Sequence, residues 1–479
     1  MKFPVLLPCA VLVGLLAFGA ASTPAQTNPA FPPPAPVAPS LRQSWLTRWD
    51  AQISGEVRGY RMCDRAVGED IAWKVTPMMD GFYYGYLATR DPKYLDFWVD
   101  WSDSLIKRAV TEPDGFPGWP GPDPFGTQVD HLDALFGDSL LGDAMVFRPI
   151  VLLAGEVRRE PGLRAKYGAK AESYVQLAER LYAKWEQRGG WRPTEGGGMI
   201  SVVGYYGLDP QGHWTEPEAV RRDPRRAFSH PNNKANEVAG FWLALADVTG
   251  KAEYRRHAEQ WFQVLHRRLH AAPDGTFAIW NYWEPAGPWD YRADGRNPKH
   301  WVGIHPRPGY YEIDVAAIVA AYQHGLVFTA EDLARLIRTA KTTWADASSA
   351  FLKPGGSVVV ETRGGVADTI YASLPNSPAP KPVGATPASV GGKLLKVQWQ
   401  AATSVGEIVV QPHEPGAAPV TLALDGKTKV QALRMWTALA PYDREIQARV
   451  EATMDPESWG GLAGVPAYLS AVSPPASAH

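Results

Sequence analysis

The chain has 479 residues, 48 lysines and arginines against 50 aspartates and glutamates, and a formal net charge of −2. That balance supplies no basic field for nucleic acid, and the length suffices for a large hydrophobic core. The 19 Trp and 19 Tyr are many for a globular chain; such rings fill cores and also offer flat faces that stack on sugars.

Met1-Lys2 carries one positive charge, an apolar run follows from Phe3 to Ala21, and Gly19, Ala20, Ala21 and Ser22 close it with small residues. This is the layout of a secretory signal peptide. The run is short for a membrane span, which needs about 20 apolar residues, and Pro4 and Pro8 interrupt it. We expect a signal peptide over 1–21, a secreted or periplasmic protein, and no membrane association after its removal. Residues 22–40, rich in Pro and Ala, read as an extended linker. Cys63 is then the one remaining cysteine, so no internal disulfide is expected.

Internal similarity sets the fold class. Gly81-Phe82-Tyr83-Tyr84, an apolar run, ends in a polar turn, and Lys93-Tyr94 opens a second helix. Gly240-Phe241-Trp242 has the same sequel, with Lys251 and Tyr254. Tyr94 and Trp101, like Tyr254 and Trp261, are seven apart, which places both rings on one helix face. Met145 to Arg158 followed by Ala165 to Glu186 repeats the layout, as does Ile313 to His324 followed by a helix from Thr329, the expected N-cap, to Trp344. Leu41 to Tyr60 and Met435 to Met454 supply further helices. Each first helix is small and apolar, hence inner; each second is more charged, hence outer. The expected fold is mainly α, an α/α toroid of roughly five to seven helical hairpins, with a small β-rich insertion near the C-terminus. The toroid should cover 41–354. Residues 355–430 hold β-branched runs at Ser357–Val360, Leu394–Trp399, Glu407–Val410 and Val420–Leu424, separated by Pro, Gly and Ser. Residues 431–479 read as a closing helix and a tail.

In such a ring the loops before the inner helices meet at one mouth. Polar sets recur there: Lys74 and Asp80; Asp130, His131, Asp133, Asp138 and Asp143, with Arg148 one turn inside; His230-Pro231-Asn232-Asn233-Lys234-Ala235-Asn236-Glu237; and His305 through Tyr310, Tyr311, Glu312 and Asp314. In the third set Pro231 can open a helix; Asn232 and Asn236 then share one face, Asn233 and Glu237 another. Trp280, Tyr282, Trp283 and Trp289 crowd a loop that could form a sugar platform. No phosphate loop, dinucleotide motif or metal-spaced Cys/His cluster occurs, so neither cofactor nor metal is expected. His257, His266 and His270 read as solvated helix surface.

His230-Pro231-Asn232-Asn233, followed by Phe241-Trp242, resembles the Asn-Asn-His-aromatic inner-helix motif of alginate-lyase-like polysaccharide lyases with an α/α toroid fold. Here Lys234 follows the Asn pair where that family has its histidine, and the histidine comes before. The resemblance implies β-elimination on a uronic-acid polymer. That chemistry needs a group to stabilise the uronate carboxylate, for which Asn232, Asn233 and Arg148 are candidates. It needs a base, with His230 foremost, and an acid for the leaving oxygen, with Tyr310 and Tyr311 preferred over Tyr205 and Tyr206. Asp143, Asn236, Glu237, Trp280, Tyr282, Trp283, Trp289, His305 and Glu312 are candidate substrate contacts, and the expected partner is an acidic polysaccharide or oligosaccharide. Two alternatives stay open. A glycoside hydrolase would use two carboxylates from Asp143, Glu237, Glu284, Asp290, Glu312 and Asp314, and a glycan-binding protein would use the rings alone.

Overall fold

The computed structural model describes residues 31–122, 136–193, 197–201, 205–208, 214–215, 228–278, 280–292, 294–300, 302, 308–345 and 437–472, together with short strands between 350 and 423. The helices are α1 (Pro39–Gly59), α2 (Asp70–Lys74), α3 (Thr76–Thr89), α4 (Lys93–Lys107), α5 (Leu140–Arg159), α6 (Pro161–Gln187), α7 (Asn232–Thr249), α8 (Ala252–Arg268), α9 (Pro308–Gln323), α10 (Ala330–Ala345), α11 (Arg444–Thr453) and α12 (Gly461–Val472).

Their ends follow local chemistry. Ser139 caps α5 by accepting from Gly142 N at 3.1 Å, and Pro161 starts α6 where its missing N–H costs nothing. Thr329 and Asp332 form a reciprocal cap on α10: Thr329 N–H donates to Asp332 at 2.8 Å and Asp332 N–H to Thr329 Oγ1 at 3.3 Å. Gly250 ends α7 with φ of 74°.

Hairpins α3–α4, α5–α6, α7–α8 and α9–α10 stack in order, and α3, α5, α7 and α9 pack side by side as the inner wall. Helix α5 is buried on nearly every side, as an inner-wall helix must be. The two chain ends complete the ring. Helix α12 packs on α3 with α1 outside it, and Trp49 of α1 donates its indole N–H to the Leu462 carbonyl at 2.8 Å. Tyr442, just before α11, reaches α9 through the Tyr322 ring and the Gln323 amide. The chain is therefore mainly α, a ring of hairpins. Helix α12 was not anticipated: its sequence is short, carries Pro466 internally, and read as a tail. Part of the 22–40 stretch is also tied down, since Gln447 exchanges hydrogen bonds with both backbone groups of Ala35.

The recurring Lys and Tyr at outer-helix starts turn out to staple neighbouring outer helices. Tyr94 and Lys93 both meet Asp50 of α1. Tyr167 and Lys166 both meet Asp96 of α4, at 2.8 and 2.6 Å. Tyr174 and Lys170 meet Asp103, and Tyr254 and Lys251 meet Glu179 of α6. The repeat in sequence is thus a repeat of contacts between successive units. Close approach within the ring needs Gly85: a Cβ there would lie 2.4 Å from the Trp49 ring, which is fully buried and held by Leu462. Gly85→Ala should cost about 1–3 kcal/mol, read as a lower denaturant midpoint with an unchanged slope.

The described residues of all four β-branched runs of the C-terminal region lie in strands. Ser357–Glu361, Leu394–Trp399 and Ala385–Gly391 form one antiparallel sheet. Lys381–Pro382, Ala367–Ser373, Glu407–Pro412 and Val420–Ala423 form another. The strands at 367–373 and 385–391 were not anticipated; the second, Ala-Thr-Pro-Ala-Ser-Val-Gly, carries little β propensity.

Candidate functional site

Helix α7 is held at its start by the loop at 280–291, folded back on it. Asn232 N–H donates to the Tyr282 carbonyl at 3.0 Å. Asp290 accepts from the Ser229 amide and hydroxyl at 2.6 and 2.7 Å, and Trp283 donates to the Ser229 carbonyl at 2.7 Å. The two faces of the first turns then diverge, as the spacing predicts. Asn232 and Asn236 face a buried network. Asn232 donates to the Asn281 carbonyl and accepts from Arg268. Asn236 donates to Asp314 at 2.6 Å and accepts from Trp261 at 2.7 Å. Trp280 donates to the other Asp314 oxygen at 2.8 Å, and Tyr311 donates to the Trp280 carbonyl. Burial pushes the Asp314 carboxyl up to about 7 against those donors and Arg268.

Several expected site residues are thereby accounted for structurally. Asn232, Asn236 and Tyr311 spend their polar atoms on this network. Trp280, Tyr282 and Trp283 are buried, so they wedge the loop in place and offer no face as a sugar platform. Trp289 is half-buried, with the Arg192 guanidinium over its ring and its N–H on Ser229. Asp138 and Asp143 are not at the mouth: Lys184, fully buried, lies 2.8 and 2.6 Å from them, and Trp185 also donates to Asp143. Arg188 adds Glu112, Asp114 and Asp138 to that cluster. His257 is not solvated surface; it stacks on Trp191 and bonds Tyr182. Asp130, His131, Asp133 and His305 lie outside the described residues, as do the side chains of Tyr205 and Tyr206.

The other face of α7 carries Asn233 and Glu237. Glu237 and Asp80 of α3 flank Arg148 of α5, at 3.4 and 2.8 Å, joining three inner helices through side chains that remain 12–18% exposed. Burial opposes the Arg148 charge, but the two carboxylates outweigh it and hold its pKa above the usual value. Nearer the mouth, Lys234 pairs with both oxygens of Glu69 at 2.7 and 2.9 Å, and Trp73 donates its indole N–H to Glu69 at 2.9 Å. The Trp73 ring lies 6.2 Å from Tyr310, which stacks on Tyr282 at 5.5 Å and 20°. Glu312 follows on the same helix, half-buried. Glu69, Trp73 and Lys234 were missed as a site; the i, i+4 spacing of Glu69 and Trp73 ahead of the first inner helix was the one available signal.

His230 and Asn233 are the unusual pair. Both are buried, at 3% and 0% exposure. Neither imidazole nitrogen of His230, and neither amide atom of Asn233, has a hydrogen-bond partner among the described residues. Such groups cost stability. Burial, reinforced by Lys234, pushes His230 down to about 3, so the ring is neutral at pH 7. The sign follows: below pH 6.5 the unfolded chain binds this proton and the folded chain does not, so stability falls as pH drops from about 6.5 toward 3, by up to about 1.4 kcal/mol per pH unit. His230→Gln should flatten that slope in denaturant titrations across pH 4–7 (about three units).

Among the described residues, no group of three or more His, Cys, Asp or Glu is placed to hold a metal ion, and no helix is long and apolar enough to cross a membrane.

The ring defines the class: an α/α toroid of helical hairpins, in which the Lys234–Glu69 pair and the Trp73 and Tyr310 rings bring the starts of three units together. The chain is similar to three solved structures. They are a family 76 glycoside hydrolase from a bovine Bacteroides thetaiotaomicron strain (14% identity, 60% of this chain and 49% of that one, TM-score 0.36), the GH76A α-1,6-mannanase from Salegentibacter sp. HEL1_6 (14%, 66% and 71%, 0.35), and cellobiose 2-epimerase from Spirochaeta thermophila DSM 6192 (16%, 66% and 74%, 0.37). The match spans about half the length of the first of them. No protein-family model and no curated protein sequence matches the chain.

Proposed function

We propose that this protein is an exported carbohydrate-active enzyme that cleaves a uronic-acid-containing polymer by β-elimination. The observation that carries the reading is the pair of buried polar side chains, His230 and Asn233, unpartnered among the described residues, at an inner-helix start beside Lys234. A structural pair would have been satisfied internally; these are left for a ligand. Export rests on the charged, apolar, small-residue start of the sequence.

In this reading the Asn233 amide donates to the uronate carboxylate, stabilising charge as it develops. Neutral His230 takes the C5 proton; the C5–H electrons form the C4=C5 double bond, the C4–O bond breaks, and Tyr310 protonates the leaving oxygen. An anionic substrate also raises the pKa of His230, offsetting the influence of burial and Lys234. The double-displacement or inverting hydrolysis alternative needs two carboxylates in opposite protonation states. Asp80 and Glu237 are both engaged by Arg148, and Glu69 by Lys234, so none of the three stands free for an acid–base pair.

The test is purified protein on acidic and neutral polysaccharides with two readouts, ultraviolet absorbance of unsaturated products and new reducing ends. Elimination yields both signals in equal amount. Reducing ends without absorbance would replace this reading with hydrolysis.

A further inference from the structure

We propose that Trp73, Glu69 and Lys234 form a sugar-binding subsite at the mouth, which takes one pyranose through adjacent hydroxyl groups and a ring face. The proposal rests on the carbohydrate part of the reading above and is independent of how the bond is broken.

The three residues come from separate units. Glu69 and Trp73 lie at and within α2, ahead of the first inner helix; Lys234 is in α7, the third. Their contact passes over the start of α5, the second inner helix, where Leu141 and Met145 pack with Ala72 against Trp73. The ion pair therefore joins non-neighbouring units at the opening. Like the Arg148 group of the inner wall, it is intermediate between two other kinds of pair. The outer-wall staples are open to solvent, as with Lys166 and Asp96 at 63% and 53% exposure, and the Lys184 cluster is sealed, at 0–4%. Lys234 and Glu69 retain 10% and 12%, and the Trp73 ring is half-buried.

The chemistry suits a vicinal diol. One sugar hydroxyl donates to the Glu69 carboxylate and its neighbour accepts from the Lys234 ammonium, two charge-assisted hydrogen bonds. The indole N–H on Glu69 fixes the carboxylate before the sugar arrives, so little ordering is left to binding. The Trp73 ring supplies a flat apolar face, continued by the half-buried Tyr310 ring for the next residue of the chain.

The test measures kcat and KM on uronate oligosaccharides of increasing length for wild type, Trp73→Ala, Trp73→Phe, Glu69→Gln and Lys234→Met. Binding of the same sugars, and of neutral cello-oligosaccharides, is followed by calorimetry. Trp73→Ala and Glu69→Gln should each raise KM or Kd about tenfold, about 1.4 kcal/mol, with kcat within about twofold; Lys234→Met, which also removes a cation beside His230, should raise Kd by a similar factor. Trp73→Phe, which keeps a ring, should lose less than Trp73→Ala. A large fall in kcat at unchanged KM would move the pair into the chemistry, and a lower melting temperature at unchanged kcat and KM would make it a brace; either overturns the proposal, as does a wild type that binds no saccharide. His230→Gln separates the two readings. If it leaves turnover intact while Trp73→Ala still loses binding, the elimination scheme falls and the subsite stands.

Discussion

His230→Gln is expected to lower kcat by about 10²–10⁴ with a small change in KM, the range for loss of a general base, and Asn233→Leu by about 10²–10³, the range for loss of one oxyanion donor. Both groups act on charge that develops only in the transition state, so kcat and kcat/KM should fall together. Stability should move the other way. The Asn233 amide is fully buried and unpartnered among the described residues, and replacing such a group by an apolar side chain of similar size removes a desolvation penalty of about 1–3 kcal/mol. Asn233→Leu should therefore melt at or above the wild-type temperature while turning over little substrate. A variant that loses stability and keeps activity would show Asn233 to be a core residue.

The second large effect concerns a place with no role in the chemistry. Lys184→Met is expected to destabilise the protein by about 3–5 kcal/mol, because removing one partner of a buried ion cluster leaves the other charges uncompensated. Lys184 is fully buried and holds Asp138, Asp143 and the Pro117 carbonyl. It thereby pins the segments at 110–118 and 136–143 against the end of α6, and with them the start of α5. Burial pushes Asp143 up to about 6 even with Lys184 beside it, so without the lysine this carboxylate would favour its protonated form. Lys166→Met, which breaks an exposed pair with Asp96, should leave the urea midpoint nearly unchanged. Urea unfolding of the two variants side by side checks the contrast.

Much of the ring was legible because its determinants are local. Apolar helices ending in polar turns, Thr329 with Asp332, and Pro161 each act within a few residues of chain, so sequence spacing reports them directly. The split of the α7 start into two faces was legible for the same reason: 3.6 residues per turn puts Asn232 with Asn236 and Asn233 with Glu237. What spacing could not say is which face meets the core. Arg268, Trp261 and Asp314, all distant in sequence, claim Asn232 and Asn236 and leave Asn233 without a partner among the described residues.

The same limit explains the residues that were reassigned. Asp143 and Asp138 precede an inner helix as mouth residues should, yet a lysine from α6 holds them in the core. Trp280 and Trp283 sit in a loop as platform residues would, yet the loop folds back and buries them. Lys234 and Glu69, 165 positions apart, meet only because α2 and α7 are brought to one rim. The chain by itself determined the four hairpins, which of their helices are inner, and where polar groups cluster, since those follow from periodicity and caps. Partnership between charges and rings was decided by tertiary structure alone. The free energy of a polar side chain depends on what lies within a few ångströms of it, and ring closure, including a final helix that read as a tail, sets those neighbours.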